Sequence, residues 1–501
     1  MADVAVLSSE HVQHVPPVDD STRSFLVILS GRVVQFVLIL LLLRVASTLL
    51  DPREVGRVSL AQASTTFFAL SVINPVGMFL NRRLHVWRRR GIVKQRLKVY
   101  WLFLLSVAVL GSLAMIPGRN SLLKDLDMSP AWLIVLIGGS LLFNTANQTY
   151  IPSLNLFGYR LSFIVLTVAT LACSLIAAVC SVRDFHPTAE FWLGGILAGQ
   201  LLVGFIGMAF FHRRLYFTNA SISGNVSSRQ LQRLVLFVLP LSLSVGFNWA
   251  QFQGYRFLVG RLIGIESLGY FVAGFGVGAG IVAALEQVLT THFQPLFYER
   301  VSRDSDDDYV QAWKAYLRAL LPATVITVGF VCSSSVAITR IILAPKFQTA
   351  VLFVAWGAVV DSSRVITNAY AMLAHARMRT SSLLFPNAVG AVVALCSVIL
   401  LTQRFGLSGV GPGLAVGGFA AIVTSHLVLC RGIEAVLPWQ PMMFAAIAAG
   451  ALVVFNRVLQ HIVFGDKTGP MALRIMMCAF AYGTVQFLLL EPTLRCQRAK
   501  H

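Results

Sequence analysis

Two stretches, DPREVGRVSLAQA at 51–63 and IGIESLGYFVAGF at 263–275, decide how this chain is organised. Each follows an apolar run that carries arginine, and each opens the next apolar run. Aligning Gly56 with Gly269 brings Glu54 and Glu266 into correspondence once a one-residue gap is allowed. Six apolar runs separate the copies, and an even number of membrane crossings restores direction. The spacing therefore predicts two parallel, pseudo-symmetric halves that face one another, with any substrate site at their interface.

Composition makes this a membrane protein. Of 501 residues 56% are hydrophobic and only 12% charged, against about 25% charged in soluble domains; the mean hydropathy is +0.75. The net charge of +19 would suit nucleic acid, but the basic residues gather in short loops between apolar runs, the pattern of the positive-inside rule. No nucleic-acid partner is expected. The seven cysteines are scattered, mostly inside apolar runs, with no spacing for a metal or a disulfide framework, so they read as small packing residues. The run after the polar first 24 residues is too long for a signal-peptide core and lacks a clear cleavage site, so it is expected to be retained.

Windows of about 20 apolar residues give fourteen candidate spans, from 25–46 to 471–490. The loop RRLHVWRRRGIVKQRLK at 82–98 holds eight basic residues and is placed in the cytoplasm, which puts both termini there too. On that arrangement 24 Lys and Arg are cytoplasmic, about 12 external and four within spans: Arg32, Arg44, Arg256 and Arg364. The longest external loop is PGRNSLLKDLDMSP at 117–130, so no soluble domain is expected outside. The expected organisation is all-α and polytopic. A polar cytoplasmic tail at 1–24 leads into a six-helix bundle at 25–217, a cytoplasmic linker at 218–233 and a second six-helix bundle at 234–432. Two further spans and a tail at 433–501 complete it.

Polar residues inside the spans are the candidate site. A charge at the bilayer centre costs about 2.5–3.5 kcal/mol on insertion scales and normally faces protein or water. Arg32, with Gln35 on a neighbouring face of span one, faces a cavity or snorkels to the interface; Arg44, nearer the other end, is read as snorkelling. NWAQFQGYR at 248–256 sets Asn248, Gln251 and Tyr255 at helical spacing beside Arg256, a polar strip that either lines a lumen or bonds neighbouring helices. In span ten Asp361, Arg364, Asn368 and His375 fall on one helix face, with Asp361 and Arg364 able to neutralise each other. Glu286 is a candidate proton or cation site or an arginine partner. The run GFGVGAG at 274–280 suits close helix packing through Gly274/Gly278 and Gly276/Gly280. Asn144, Asn147 and Gln148 suit sugar hydroxyls or interhelical bonds equally.

These stretches also carry a resemblance. DPREVGRVSLAQA, RFLVGRLIGIESLGYFVAG at 256–274 and RFGLSGVGPGLAVGG at 404–418 occur in the order and spacing of motifs in the Wzx/PST-type polysaccharide flippases. These belong to the MOP superfamily with lipid II flippases and MATE exporters, and the resemblance runs from about 25 to 430. Relatives often carry an acid before the arginine closing span seven, where this chain has Tyr255. Spans thirteen and fourteen resemble the additional pair of lipid II flippases.

The resemblance implies an alternating-access flippase, not an enzyme, in a bacterial inner membrane. It would move a polyprenyl-pyrophosphate-linked oligosaccharide to the periplasmic leaflet for exopolysaccharide, O-antigen or capsule synthesis. No cofactor is expected; the bilayer and envelope polymerase or export machinery are its partners, and the working unit is a monomer. Arginine binds phosphate through a planar fork and stays charged. The expected cavity set is Arg32, Gln35, Asn248, Gln251, Arg256, Asp361, Arg364 and Asn368, with Glu286 and Asp361 as candidate ion-coupling carboxylates. The membrane potential would assist outward movement of anionic charge by about 2.3 kcal/mol per charge per 100 mV. No phosphate-binding loop motif is present for direct ATP use. A cation exporter on the same fold would favour acidic and aromatic cavity residues. A polytopic glycosyltransferase or polymerase would need a substantial external loop, and a scaffold would need no membrane arginines.

Overall fold

The computed structural model describes residues 21–89, 93–118, 128–156, 159–214, 228–301, 306–377, 380–431, 433, 437–458 and 477–486. Among these residues helix dominates and no strand occurs. The expected tail at 1–24 lies outside them except where α1 begins, as do the middle of the 117–130 loop, most of the 218–233 linker and the C-terminal tail.

The first half comprises α1 (Ser21–Leu49), α2 (Pro52–Phe68) continuing into α3 (Asn74–Arg89), α4 (Val93–Gly118), α5 (Pro130–Leu156), α6 (Arg160–Asp184) and α7 (Ala189–Arg214). A π-helical turn at Ala69–Ile73 joins α2 to α3; it precedes Pro75, which lacks the donor a regular turn would use. The second half runs through α8 (Ser228–Gln253), α9 (Tyr255–Leu262), α10 (Ile265–Val301), α11 (Asp306–Ile342), α12 (Val351–Ala376), α13 (Leu384–Phe405) and α14 (Val410–Leu429). α15 (Trp439–Val458) and a helix at 477–486 dock on α11. There Asn456 donates to the Ser333 carbonyl at 2.9 Å and Gln486 to the Thr327 hydroxyl at 2.7 Å, bonds that help replace a hydrophobic drive absent in lipid.

Eleven segments are long and apolar enough to cross a membrane. One of them, Thr380–Leu429, contains both α13 and α14, and α5 adds a helix whose apolar part is Pro130–Phe143. Large apolar side chains such as Leu236, Phe419 and Phe480 are exposed, as a surface facing hydrocarbon requires.

The two repeats quoted above lie against each other. A Cβ on Gly56 would overlap the Ile265 carbonyl, and one on Gly269 would overlap the Pro52 carbonyl. Only hydrogen fits at either place, so α2 and α10 cross with backbone touching backbone. This crossing, the clasp, joins the halves at one end of the molecule. Beside it Arg44 donates to the Leu343 carbonyl, the Ala344 amide donates to Ser47 Oγ at 3.0 Å and Lys346 meets Asp51 at 3.0 Å. Arg44 is thus spent on the opposite half. Glu54 holds the first connector down by accepting from Ala189 N, in the first turn of α7, at 2.7 Å and from Arg57 at 2.9 Å.

A second close crossing builds the other half. Gly274 and Gly278 on α10 abut the Ala350 and Val354 carbonyls, and Gly357 on α12 abuts Phe275. Gly276 and Gly280 differ from the expectation: a Cβ on either would meet nothing. They lie on the opposite side of α10, and Gly280 lines open space.

Candidate functional site

The described residues form a polar cavity beside α10 and α12 and another beside α2, α5 and α7. The cavity of the second half is an open cleft of about 600 Å³ between α10 and α12, lined by Glu286, Gln287, Thr290, Gln294, Asp361 and Arg364. Arg364 Nε and Nη2 donate to the two oxygens of Asp361 at 2.7 and 2.9 Å, and Nη2 also reaches Glu286 Oε2 at 2.8 Å. Asn368 Nδ2 donates to the other Glu286 oxygen at 2.9 Å. One guanidinium therefore serves two carboxylates. With both ionised the group carries one net negative charge, in a site where Asp361 is only 8% exposed. A proton or a small cation would neutralise it.

The cavity of the first half is smaller, about 290 Å³, and is bounded by α2, α5, α7 and the end of span seven. Its polar wall is Gln62, Thr65, Thr66, Ser140, Gln200 and Gln253; its charge is Arg256, and no carboxylate lines it. Arg256 Nη1 donates to the Ser59 carbonyl of α2 at 3.2 Å, while its buried Nε has no partner.

Span seven explains how Arg256 arrives there. Gly254 ends α8 and α9 starts at Tyr255, with the Gly254 amide shared between the Trp249 and Ala250 carbonyls at 3.3 and 3.1 Å. Gly254 keeps helical dihedrals, φ −62° and ψ −29°, so the span runs on through this irregular turn, and the residues of the expected polar strip meet neighbouring helices. Gln251 is buried against Gly390 of α13, both atoms of its amide unpartnered, and lines neither cavity. Tyr255 is fully buried against Phe271 and Phe275 of α10. Asn248 is half-buried on α8 and also lines neither cavity. Trp249 donates to the Ala63 carbonyl of α2 at 3.0 Å, tying span seven to the first half below Arg256.

Arg32 belongs to neither cavity. It donates to Gln35 Oε1 at 2.9 Å and lies 5.6 Å from the ring centre of Phe163 on α6, so the pair is lodged between α1 and α6. The single space expected for Arg32, Arg256 and Arg364 is thus divided: Arg256 and Arg364 occupy separate cavities and Arg32 sits in a helix interface. Asn147 donates to the Gln200 carbonyl at 3.1 Å, binding α5 to α7; the side chains of Asn144 and Gln148 lie outside the described residues. Sequence reading missed Gln62, Gln200 and Gln253. Gln62 and Gln200 are single amides in their spans, a signal as strong as Gln35, and Gln253 lies two residues from Gln251 within the strip quoted above.

Two six-helix sets that meet where α2 crosses α10, with polar cavities among apolar spans, make a multi-pass membrane protein. A family model for polysaccharide biosynthesis proteins matches residues 45–352, more than half of the chain, and the chain belongs to that family. No curated protein matches the sequence. Among solved structures, the lipid II flippase MurJ in an inward closed conformation superposes with a TM-score of 0.66 at 10% identity, covering 95% of this chain and 100% of its own. An outward-facing multidrug resistance MATE transporter gives 0.57 at 13%, covering 86% and 95%. A MATE transporter of Vibrio cholerae gives 0.55 at 13%, covering 82% and 96%. At such identities the likeness speaks for the fold alone.

Proposed function

We propose that this protein is an alternating-access flippase that carries a polyprenyl-pyrophosphate-linked oligosaccharide across a bacterial inner membrane for polysaccharide synthesis. The residues 25–217 and 234–432 act as the two moving bodies, joined by the linker at 218–233. The observation that carries the reading is the pair of polar cavities in a chain of the polysaccharide biosynthesis family. The anionic head group and its hydroxyls cannot cross hydrocarbon unaided, whereas the prenyl tail can stay in lipid. The basic 82–98 loop lies at the far end of α2 and α3 from the clasp. By the positive-inside rule the clasp then closes the periplasmic side, and both termini are cytoplasmic.

The membrane potential favours outward movement of the anion, and the Glu286–Arg364–Asp361 group is the place for proton or sodium exchange. A strain lacking the protein is expected to accumulate lipid-linked sugar on the cytoplasmic face, and the wild-type gene to relieve this. Normal flipping in that strain sinks the reading.

One observation favours a second reading, export of organic cations: two carboxylates and a single arginine line the second cavity. Cavity carboxylates attract such cargo. Resistance to cationic dyes that falls in the deletion strain, with polysaccharide unaffected, would select it.

A further inference from the structure

We infer that the open cleft of the second half is a track for neutral sugar units, and that Gly280 sets which unit fits at its deep end. The inference rests on the flippase reading and deepens it by naming the part of the cargo this cleft holds.

Its starting point is a glycine that helix packing does not use. On α10, Gly274 and Gly278 are explained by what they touch, the Ala350 and Val354 carbonyls. Gly280 faces the other way: it lines the cleft, and a Cβ there would meet nothing within 4 Å. Glycine weakens a helix interior, so one that is free of helix contacts needs another cause. Room for a group lying directly on the helix backbone is such a cause. Ala279 and Ala283 keep the surface around it low.

Further along the same wall the surface becomes polar. Gln287, Thr290 and Gln294 follow Gly280 and Ala283 at steps of three and four residues. All five therefore share one face, with a polar group at each turn, about 5.4 Å apart. Gln287 and Gln294 are exposed, and neither amide has a partner among the described residues; each can donate and accept. Thr290 donates its hydroxyl proton to the Glu286 carbonyl at 2.8 Å, which leaves its oxygen an acceptor. A flat apolar floor continued by one hydrogen-bonding group per turn complements a chain of pyranose rings, which carry hydroxyls on their rims and C–H groups on their faces. The volume, about 600 Å³, falls within the ~300–1,000 Å³ typical of small-ligand sites.

Charge and ring content narrow the class. Glu286 and Asp361 both hold Arg364, at 2.8 and 2.7 Å, and no other cation lines the cleft among the described residues. An acidic sugar would meet carboxylates there. No aromatic ring lines it among those residues either, so an organic cation lacks the π-face it would seek. Because α10 starts at the clasp, Gly280 is nearer the clasp than Gln294, and a sugar chain entering from the far end reaches it last. A side chain at 280 blocks the deepest unit and leaves the rest of the track intact.

The first test measures flipping in the deletion strain carrying Gly280→Ala, Gly280→Val or Gly280→Leu, read as lipid-linked sugar accumulated on the cytoplasmic face. Flipping should fall stepwise with size, little at Ala and at least tenfold at Leu, while thermal unfolding of the purified chains stays that of the wild type. If the Leu chain does not fold, the Val chain decides by the same readings. Full flipping by the folded large variant overturns the inference. So does a loss that is complete at Ala and no deeper at Leu, the sign of a glycine kept for bending.

The second test measures binding. In a cysteine-free full chain in lipid nanodiscs, Ala283→Cys is labelled by a maleimide in the presence of the oligosaccharide released by mild acid from the lipid extract of the deletion strain. That oligosaccharide should slow labelling several-fold. Gln287→Leu and Gln294→Leu should each remove most of the protection, and tetragalacturonic acid should give none. Unslowed labelling, protection that survives both amide substitutions, or protection by the acid overturns the track and leaves the flippase standing. A deletion strain that accumulates no lipid-linked sugar sinks the flippase reading, and the track falls with it.

Discussion

The first half surrounds its cavity with amides, hydroxyls and one arginine from across the interface that has no carboxylate partner among the described residues; the second surrounds its own with two carboxylates and an arginine they already hold. The two cavities belong to one chain and their chemistry is opposite. A repeat fixes how helices cross, because crossing depends on small residues at set places. It leaves the lining free, because lining residues touch only what passes. The clasp glycines, Gly56 and Gly269, show the first constraint, and the pair Arg256 and Arg364 shows the second.

Four measurements sharpen or break this contrast. Arg364→Ala leaves Asp361 and Glu286 facing each other without a counter-charge, and losing one partner of a buried pair costs about 3–5 kcal/mol. Thermal unfolding in detergent should show that loss, and adding Asp361→Asn with Glu286→Gln should recover much of it. If Arg364→Ala is neutral, the carboxylates were already protonated. Next, Gly278→Ala pushes a methyl into the Val354 carbonyl and should cost about 1–3 kcal/mol, whereas Gly276→Ala meets nothing and should be neutral or slightly stabilising. Equal behaviour of the two would refute the sidedness of α10. Trp249→Phe removes a hydrogen bond between the halves and should cost about 1 kcal/mol, read as a small fall in unfolding temperature. Lys346→Ala breaks an exposed ion pair with Asp51; pairs of that kind contribute about 0–1 kcal/mol, and a change fading in high salt would confirm it.

The spans were legible because lipid enforces them: length and hydropathy leave little choice. The triad was legible in part. Helical spacing put Asp361, Arg364 and Asn368 on one face, but only the packing of α10 on α12 shows that Glu286 completes it. Span seven was misread for a definite reason. Gln251 and Tyr255 do follow each other at helical spacing, but that side of the span packs on α13 and α10 instead of on open space, and a helix wheel does not show what stands opposite it. Arg32 looked like a cavity residue by depth, yet its partners Gln35 and Phe163 lie in a helix interface that a single helix wheel does not reveal.

Four of the polar bonds that join the halves have a common construction. Arg44 meets the Leu343 carbonyl, Ser47 the Ala344 amide, Trp249 the Ala63 carbonyl and Arg256 the Ser59 carbonyl. Each spans from a side chain on one body to the main chain of the other. Bonds of this sort contribute about 1 kcal/mol apiece, and their sum is comparable to the ~5.5 kcal/mol that swings a two-state balance from one extreme to the other. The seam is therefore strong enough to hold one shape and weak enough to be undone. Because main-chain atoms are the same whatever the residue, such a latch survives drift in the side chains it grips.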